Sequence, residues 1–201
     1  MHKGLRLVLF SVLTSITAAF AVSPVIASEI PLKPLHFDDV PAMIEDAGDY
    51  SVEKGTFELL SSSPLKLRMS PQVFQADLPQ HVAESVRRAA LYGVYRTFIH
   101  TDADMVTVVS VPTQITLNPY TTKLQKRPEL EISVTRDQAL KAVGMLIDDI
   151  DSLASLVESE KAGELQIDNW TESFEELYFP ASGQQKFLEA LKTAGAKVTF
   201  Q

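Results

Sequence analysis

Hydrophobic residues recur through residues 78–100 at helical spacing, and the pattern becomes that of a strand at residues 105–111. At about 100° per residue, one side of this predicted helix carries mostly small side chains: Val82, Ala83, Val86, Ala89, Ala90, Gly93, Val94 and Thr97. We therefore expect the helix to lie close against a sheet. Its second half is apolar on the opposite side as well, which predicts another layer of structure over that end.

Alternating polar and apolar residues predict several strands. Leu65, Leu67 and Met69 alternate with Lys66 and Arg68, which is typical of a half-buried strand. Residues 56–60 precede it and form the obvious hairpin partner, while residues 130–134 repeat the alternation later in the chain. Pro112 interrupts the apolar run that starts at residue 105, and we expect a break there.

Capping patterns predict the remaining helices. Asp38 or Asp39 and Gly48 bound a short helix, and Asp77 is the predicted N-cap of the long one. Thr135 and Gln138 form a capping box, and apolar spacing from residue 140 to 157 predicts a second long helix. Two short helices follow, with predicted capping boxes at these pairs: Asn169 with Glu172, and Ser182 with Gln185. Gly195 is the predicted stop of the last helix, and Val198 and Phe200 predict a final edge strand.

These elements predict an α+β fold. We expect a single domain with a mostly antiparallel sheet of four or five strands and long helices packed mainly on one face. The domain proper is predicted to cover residues 53–201, preceded by an extended lead and short helix at residues 28–52.

Residues 1–27 have the pattern of a secretory signal peptide. Lys3 and Arg6 precede an uncharged apolar run, and cleavage is expected after Ala27, with Ala21 as the alternative. An uncleaved membrane anchor is the competing interpretation, because the apolar stretch is just long enough to span a bilayer at about 20 residues. We expect a periplasmic or secreted protein, most simply one of a Gram-negative periplasm.

Composition excludes several classes of function. The chain has no cysteine, which rules out thiol nucleophiles, disulfide scaffolds and zinc–thiolate sites. Removal of Lys3 and Arg6 with the signal leaves 16 basic against 26 acidic residues, a net charge of −10. Such a body repels phosphate backbones, so no nucleic-acid partner is expected.

His100, Asp102 and Asp104 are candidate ligands for a divalent cation, or candidate acid–base groups. Their spacing matches no fixed metal motif, and distant ligands are needed, for which His36 and Asp38 are the obvious choices. The simpler interpretation is a helix-to-strand turn, where histidine complements the helix dipole and aspartate favours the turn.

Arg96 is a candidate anion-binding residue. It lies near the margin of the apolar side, where the helix is expected to be covered all round. A guanidinium there needs a carboxylate partner, either from within the protein or from a ligand.

Residues 118–128 are predicted to form a loop with a cluster of basic side chains. Tyr120, Lys123, Lys126 and Arg127 are candidate contacts for an acidic partner or for lipid headgroups, and solubility alone is the simpler explanation. An aromatic group is a possible ligand platform, although aromatics at helical spacing are more often core: Trp170, Phe174, Tyr178 and Phe179.

Catalytic motifs are lacking, with no G-x-S-x-G sequence and no glycine-rich phosphate loop. The sequence favours a non-catalytic interaction or accessory protein of the cell envelope, with an acidic envelope protein as partner and no cofactor. The alternatives are a metal-dependent hydrolase that uses His100, Asp102 and Asp104, and a carrier that binds the acidic group of a small ligand through Arg96. The oligomeric state is left open.

Overall fold

The long helix predicted at residues 78–100 is the centre of the structure. The computed structural model describes residues 32–201, so the predicted signal peptide and the first residues of the lead lie outside the described part. The described residues form five α-helices and ten strands, which follow in this order: α1 (Val40–Ala47), β1 (Phe57–Ser62), β2 (Leu65–Met69), β3 (Gln72–Phe74), α2 (Pro79–His100), β4 (Met105–Ser110), β5 (Thr113–Leu117), β6 (Tyr120–Leu124), β7 (Leu130–Thr135), α3 (Arg136–Val143), β8 (Val157–Ala162), β9 (Leu165–Trp170), α4 (Glu172–Tyr178), α5 (Ala181–Thr193) and β10 (Lys197–Phe200).

The main sheet has five strands in the order β1-β2-β4-β7-β10. Only β2 and β4 run parallel, and the other three neighbouring pairs are antiparallel. One face carries the buried residues of the alternating strands, while Lys66 and Glu131 pair at 3.0 Å on the half-exposed face. The prediction of a single α+β domain with a mostly antiparallel sheet of up to five strands is confirmed.

Helix α2 lies against the buried face at close range. A Cβ added at Gly93 would stand 2.9 Å from Val108 Cγ1 and 3.1 Å from Met69 Cγ. Only a residue without a side chain allows this approach. The expectation that small residues bring this helix close to the sheet is confirmed.

Other helices cover the far side of α2. Phe174 of α4 and Phe187 of α5 pack on Tyr95, with ring centroids 5.3 and 5.4 Å away. Helix α1 contributes Val40, Met43 and Ile44 to the same core. The second layer predicted over the second half of α2 is therefore present. Within residues 32–201, the helices all lack the length or the apolar character needed to cross a bilayer.

Prolines end both parallel strands at matching positions. Pro71 follows β2 and Pro112 follows β4, and the ladder resumes as the Thr113 N–H donates to the Pro71 carbonyl. The chain then enters a separate sheet ordered β3-β5-β6. The break at Pro112 is confirmed, but the loop predicted for residues 118–128 is wrong where β6 pairs with β5. The β-branched and aromatic residues of β6 favour a strand even without apolar alternation.

The second long helix is wrong beyond Val143. The Thr135–Gln138 capping box is present and starts α3, but Gly144 follows only eight helical residues later. Asp149 takes a left-handed backbone with φ of 58°, which ends any helical path. A short 3₁₀ helix and the β8–β9 hairpin follow, and the sequence pattern did not reveal that hairpin.

Local capping is confirmed at α1, where the Asp39 side chain accepts from the Ala42 N–H and Gly48 ends the helix with φ of 74°. The predicted caps of α2, α4 and α5 are wrong. Asp77 accepts instead from the Phe74 N–H, and Asn169 donates to Glu160 within the β8–β9 hairpin. A proline lies at the start of both α2 and α5. Pro79 is the first residue of α2, after Leu78 at the N-cap, and Pro180 is the N-cap residue of α5. Gly195 directly follows the end of α5 with φ of 100°, as predicted, and β10 is the edge strand expected.

Candidate functional site

The C-terminal end of α2 is held by groups from distant parts of the chain. The last carbonyls of a helix have no partner within it and need outside donors. Arg136, at the start of α3, donates to the carbonyls of Phe98, Thr101 and Ala103. The Phe37 N–H donates to the His100 carbonyl at 2.8 Å. These contacts fix the helix end that carries Arg96 and His100.

His100 connects α2 to the extended lead. Its Nδ1–H donates to the Leu35 carbonyl at 2.8 Å, which leaves Nε2 as the acceptor for Arg96 Nη1 at 3.0 Å. Burial lowers the pKa of His100, and the Arg96 charge acts in the same direction, against the Leu35 carbonyl and the Asp168 carboxylate. Histidine is therefore neutral here, and neither ring nitrogen is free for proton transfer.

Asp168 reaches the same place from β9. Its Oδ2 accepts from the Leu35 N–H at 2.7 Å and lies 3.6 Å from His100 Nδ1, while Oδ1 accepts from Gln166 at 3.1 Å. Burial alone would raise the pKa of this carboxyl, but the Ser159 hydroxyl on the neighbouring strand and the donors of Leu35 and Gln166 outweigh it, and the pKa is lowered. The carboxylate therefore anchors the lead.

Arg96, in contrast, has no carboxylate partner among the described residues. Its Nη1 donates to His100 and to the backbone carbonyl of Asp168 at 2.9 Å, and its guanidinium carbon lies 4.0 Å from the Trp170 ring centroid. Only 9 % of the residue is exposed, and its buried Nε has no hydrogen-bond partner within the described part of the chain. Among residues 32–201, no carboxylate oxygen lies within 4.0 Å of the guanidinium nitrogens. Of the two partners considered for Arg96, a carboxylate from within the protein is therefore absent among the described residues.

Two cavities meet at Arg96. One of about 380 Å³ lies under the lead and has these lining residues: Leu35, Phe37, Met43, Asp46, Ala47, Asp49, Arg96, His100, Gln166, Ile167, Asp168 and Asn169. The other, of about 400 Å³, has walls of aromatic and charged residues: Asp49, Tyr50, Arg88, Tyr92, Arg96, Asn169, Trp170, Glu175, Tyr178 and Phe179. Asp49, Arg96 and Asn169 line both. We call these two cavities together the Arg96 groove.

The aromatic wall of the groove is a packed cluster. Tyr50 lies 5.1 Å from Tyr92, and Trp170 lies 5.7 Å from Tyr178, between ring centroids. Burial raises the pKa of the Tyr92 hydroxyl, and the Asp49 charge adds to this, so the phenol stays neutral. Phe174 is a core residue. Tyr178 is buried but also lines the groove, as do the half-buried Trp170 and the exposed Phe179.

The predicted metal candidates do not converge. The Asp102 side chain is 95 % exposed and pairs with His36 at 3.1 Å, whereas the His100 ring is buried against Leu35 and Arg96. The Asp104 side chain is exposed, and the backbone carbonyl of Asp104 accepts a hydrogen bond from the Arg136 N–H. Within residues 32–201, no three histidine, aspartate or glutamate side chains are grouped as a metal site requires. The arrangement gives no support to the metal-dependent alternative.

The basic residues near residue 120 lie on the β5–β6 hairpin and just after it. Tyr120 is 66 % exposed, and none of Lys123, Lys126 and Arg127 forms an ion pair with the described residues. Side chains alternate along a strand, so Tyr120 and Lys123 of β6 point to opposite faces. The aromatic contact and at least one cation are therefore not on one surface.

No family model, curated protein or solved structure matches this chain. The geometry of the site is therefore the basis for the function proposed below.

Sequence patterns singled out Arg96 and His100 separately, although their spacing of four places them one turn apart on a helix. Asp168 and Leu35 were missed. A hairpin signal at Gly163, whose φ is 70° in the turn between β8 and β9, would have placed Asp168 on a strand.

Proposed function

We propose that this chain is an exported, non-catalytic binding protein of the cell envelope that holds the acidic group of a small ligand on Arg96. The observation that carries the proposal is the buried guanidinium, which borders two cavities and has no carboxylate partner among the described residues. Buried charges are normally paired, and planar guanidinium groups favour two-point contacts with carboxylates. A ligand carboxylate at this position completes the pairing.

The dimensions and walls of the groove support this proposal. Cavities of about 300 Å³ and more accommodate small ligands, and such sites combine apolar walls with a few polar groups that fix orientation. Trp170 and the tyrosines supply the apolar wall, and Arg96 supplies the orienting charge. Binding is favoured over catalysis because both nitrogens of the only histidine lining the groove are bonded to protein groups.

Export is part of the proposal and rests on the signal-peptide pattern of residues 1–27. A periplasmic binding protein without disulfides and with a strongly acidic body is consistent with this composition. The intact mass of the protein isolated from the envelope tests the proposal, since a chain that still begins at Met1 contradicts cleavage.

Arg96→Gln is expected to abolish measurable binding of carboxylates. The suitable probes are 3-phenylpropionate and its α-amino derivative L-phenylalanine, with the neutral 3-phenylpropanol for comparison, measured by calorimetry. Removal of one partner of a buried charge pair costs about 2–5 kcal/mol, so affinity should fall about 30-fold or more. Arg96→Lys keeps the charge without the planar fork and should bind with intermediate affinity.

Two controls keep this test specific. Arg127→Gln removes an arginine that does not line the groove and should bind the probes like the unaltered protein. Melting curves of each variant separate loss of the site from loss of the fold. The proposal fails if neither carboxylate binds, or if a folded Arg96→Gln variant binds them with unchanged affinity.

A second function has an observation of its own in favour. Lys123, Lys126 and Arg127 are exposed without ion pairs to the described residues, on a body whose net charge is negative. We propose as the second candidate that these cations contact an acidic envelope protein, without Tyr120, which points to the face of β6 opposite Lys123. Attraction of this kind acts mainly on the association rate and is screened over a Debye length of about 8 Å.

Replacement of these three cations by serine should leave the melting temperature nearly unchanged, because solvated charges contribute little to stability. It should reduce capture of partner proteins in an envelope pull-down at low salt while leaving binding at the Arg96 groove intact. Recovery of the same proteins in the same amounts would show that the cations serve only solubility.

A further inference from the structure

The Arg96 groove contains carboxylates as well as the buried guanidinium. Asp49 lines both cavities, Asp46 lines the first and Glu175 lines the second. Asp49 forms no ion pair with the described residues, and it follows directly after Gly48, which ends α1. The turn at the end of α1 thus presents an unpaired carboxylate to the cavities that Arg96 borders.

A ligand with only a negative charge is poorly matched to this surface. Its carboxylate would be attracted to Arg96 but would also meet the fields of Asp46 and Asp49, which are exposed and repel it through partly screened interactions. Acidic walls of this kind select against simple anions and in favour of a ligand that also carries a positive charge.

The rings around the groove suit such a positive charge and the apolar part of a ligand. Trp170, Tyr50 and Tyr92 line the second cavity together with Arg96 and Asp49. Arg96 and Phe174 already stack on Trp170, so Trp170 contributes its edge and the tyrosines contribute the remaining ring surface. Aromatic faces attract ammonium groups within about 6 Å and also pack against apolar side chains. The Tyr92 hydroxyl is buried without a hydrogen-bond partner among the described residues, and burial together with the Asp49 charge beside it raises its pKa.

We infer that the ligand of the Arg96 groove is a small zwitterion of the α-amino-acid class with an aromatic side chain. Its carboxylate pairs with Arg96, its ammonium pairs with Asp49, and its ring packs among Trp170, Tyr50 and Tyr92. This inference rests on the proposed function, since it names the ligand class of the same site.

Three probes of one size separate the two charges. L-phenylalanine carries both, 3-phenylpropionate lacks the ammonium and 2-phenylethylamine lacks the carboxylate. In calorimetry with the purified protein, L-phenylalanine should bind at least tenfold more tightly than either of the others. Asp49→Asn should weaken L-phenylalanine binding at least tenfold and leave 3-phenylpropionate unchanged or slightly tighter. Asp102→Asn, which removes an exposed carboxylate that does not line the groove, should change neither affinity.

Each result decides one claim. If 3-phenylpropionate binds as tightly as L-phenylalanine, or if Asp49→Asn leaves the difference between them intact, the zwitterion inference is wrong while the Arg96 site stands. If 2-phenylethylamine binds as tightly as L-phenylalanine, Arg96 does not select the ligand and both proposals fail. Absence of binding by all three probes overturns both as well.

Discussion

Gly183→Ala should lower the free energy of unfolding by about 2 kcal/mol or more, because α4 and α5 touch at this residue. A Cβ at position 183 would stand 2.3 Å from the Leu177 carbonyl oxygen and 2.6 Å from its Cα. Backbone atoms cannot move aside as a flexible side chain can, so a contact this close should cost about 3 kcal/mol or more, at or above the upper end of typical overpacking. The gain in helix propensity from glycine to alanine, about 1 kcal/mol, offsets only part of it.

Urea denaturation and thermal melting measure this effect. A loss of 2 kcal/mol should lower the melting temperature by about 4–8 °C in a domain of this size. Gly144→Ala is the matched control, because Gly144 has φ of −67° and a Cβ added there would lie no closer than 3.4 Å to another atom, the Leu140 carbonyl oxygen. Equal stability of the two variants would show that α4 and α5 are not in contact at Gly183. Tyr178 of α4 lines the groove, so the same change should also weaken ligand binding.

Arg136→Met should cost about 3 kcal/mol of stability through the loss of the cap on α2. The Arg136 guanidinium donates to three carbonyls, those of Phe98, Thr101 and Ala103. Hydrogen bonds from a charged donor contribute about 1.5–3 kcal/mol each, and partial exposure reduces their sum. The positive charge also complements the negative end of the helix dipole.

Chemical denaturation again provides the measurement for Arg136. Lys141→Met, an exposed substitution on the same helix, should be nearly neutral and serves as the control. The stability of Arg136→Lys should lie between those of the unaltered protein and Arg136→Met, since lysine retains the charge but reaches fewer carbonyls. A neutral Arg136→Met variant would mean that water satisfies these carbonyls equally well. The account of how the Arg96 and His100 end of α2 is fixed would then be wrong.

Strong local periodicity explains what the sequence predicted well. The small residues of α2 and the alternation in β2 and β7 each point to one buried face, and the sheet and its central helix follow from them. Asp39 and Gly48 bound α1 because their capping interactions involve only neighbouring residues. The sequence pattern is sufficient to predict an element when contacts with distant segments do not override its local preferences.

Predictions failed where distant contacts decide the structure. Apolar residues beyond Val143 have helical spacing, yet Gly144 and Asp149 end the helix, and Leu153 and Leu156 reach the core from a 3₁₀ turn. Periodicity alone does not indicate the kind of secondary structure in which an apolar residue becomes buried. The same error hid β9 and with it Asp168.

The candidate site was likewise predictable only in those parts that depend on local sequence. Arg96 was predicted from the sequence because a charged residue at the margin of an apolar helix face needs a partner. Its surroundings come from segments far along the chain, since the Asp168 carbonyl is 72 residues away and Leu35 lies 65 residues from His100. Only the fold shows that the nearby carboxylate anchors the lead and leaves the guanidinium unpaired.

The side-chain N–H signals of arginine and tryptophan in a ¹H–¹⁵N NMR titration with L-phenylalanine test the central claim most directly. Arg96 Nε has no hydrogen-bond partner in residues 32–201, and the Arg96 guanidinium lies on the Trp170 ring, so a carboxylate bound there must change both environments. The account predicts that the Arg96 Nε–H and Trp170 Nε1–H signals shift together and saturate with the affinity measured by calorimetry. Saturable binding that leaves these two signals unmoved, with shifts elsewhere, would contradict it.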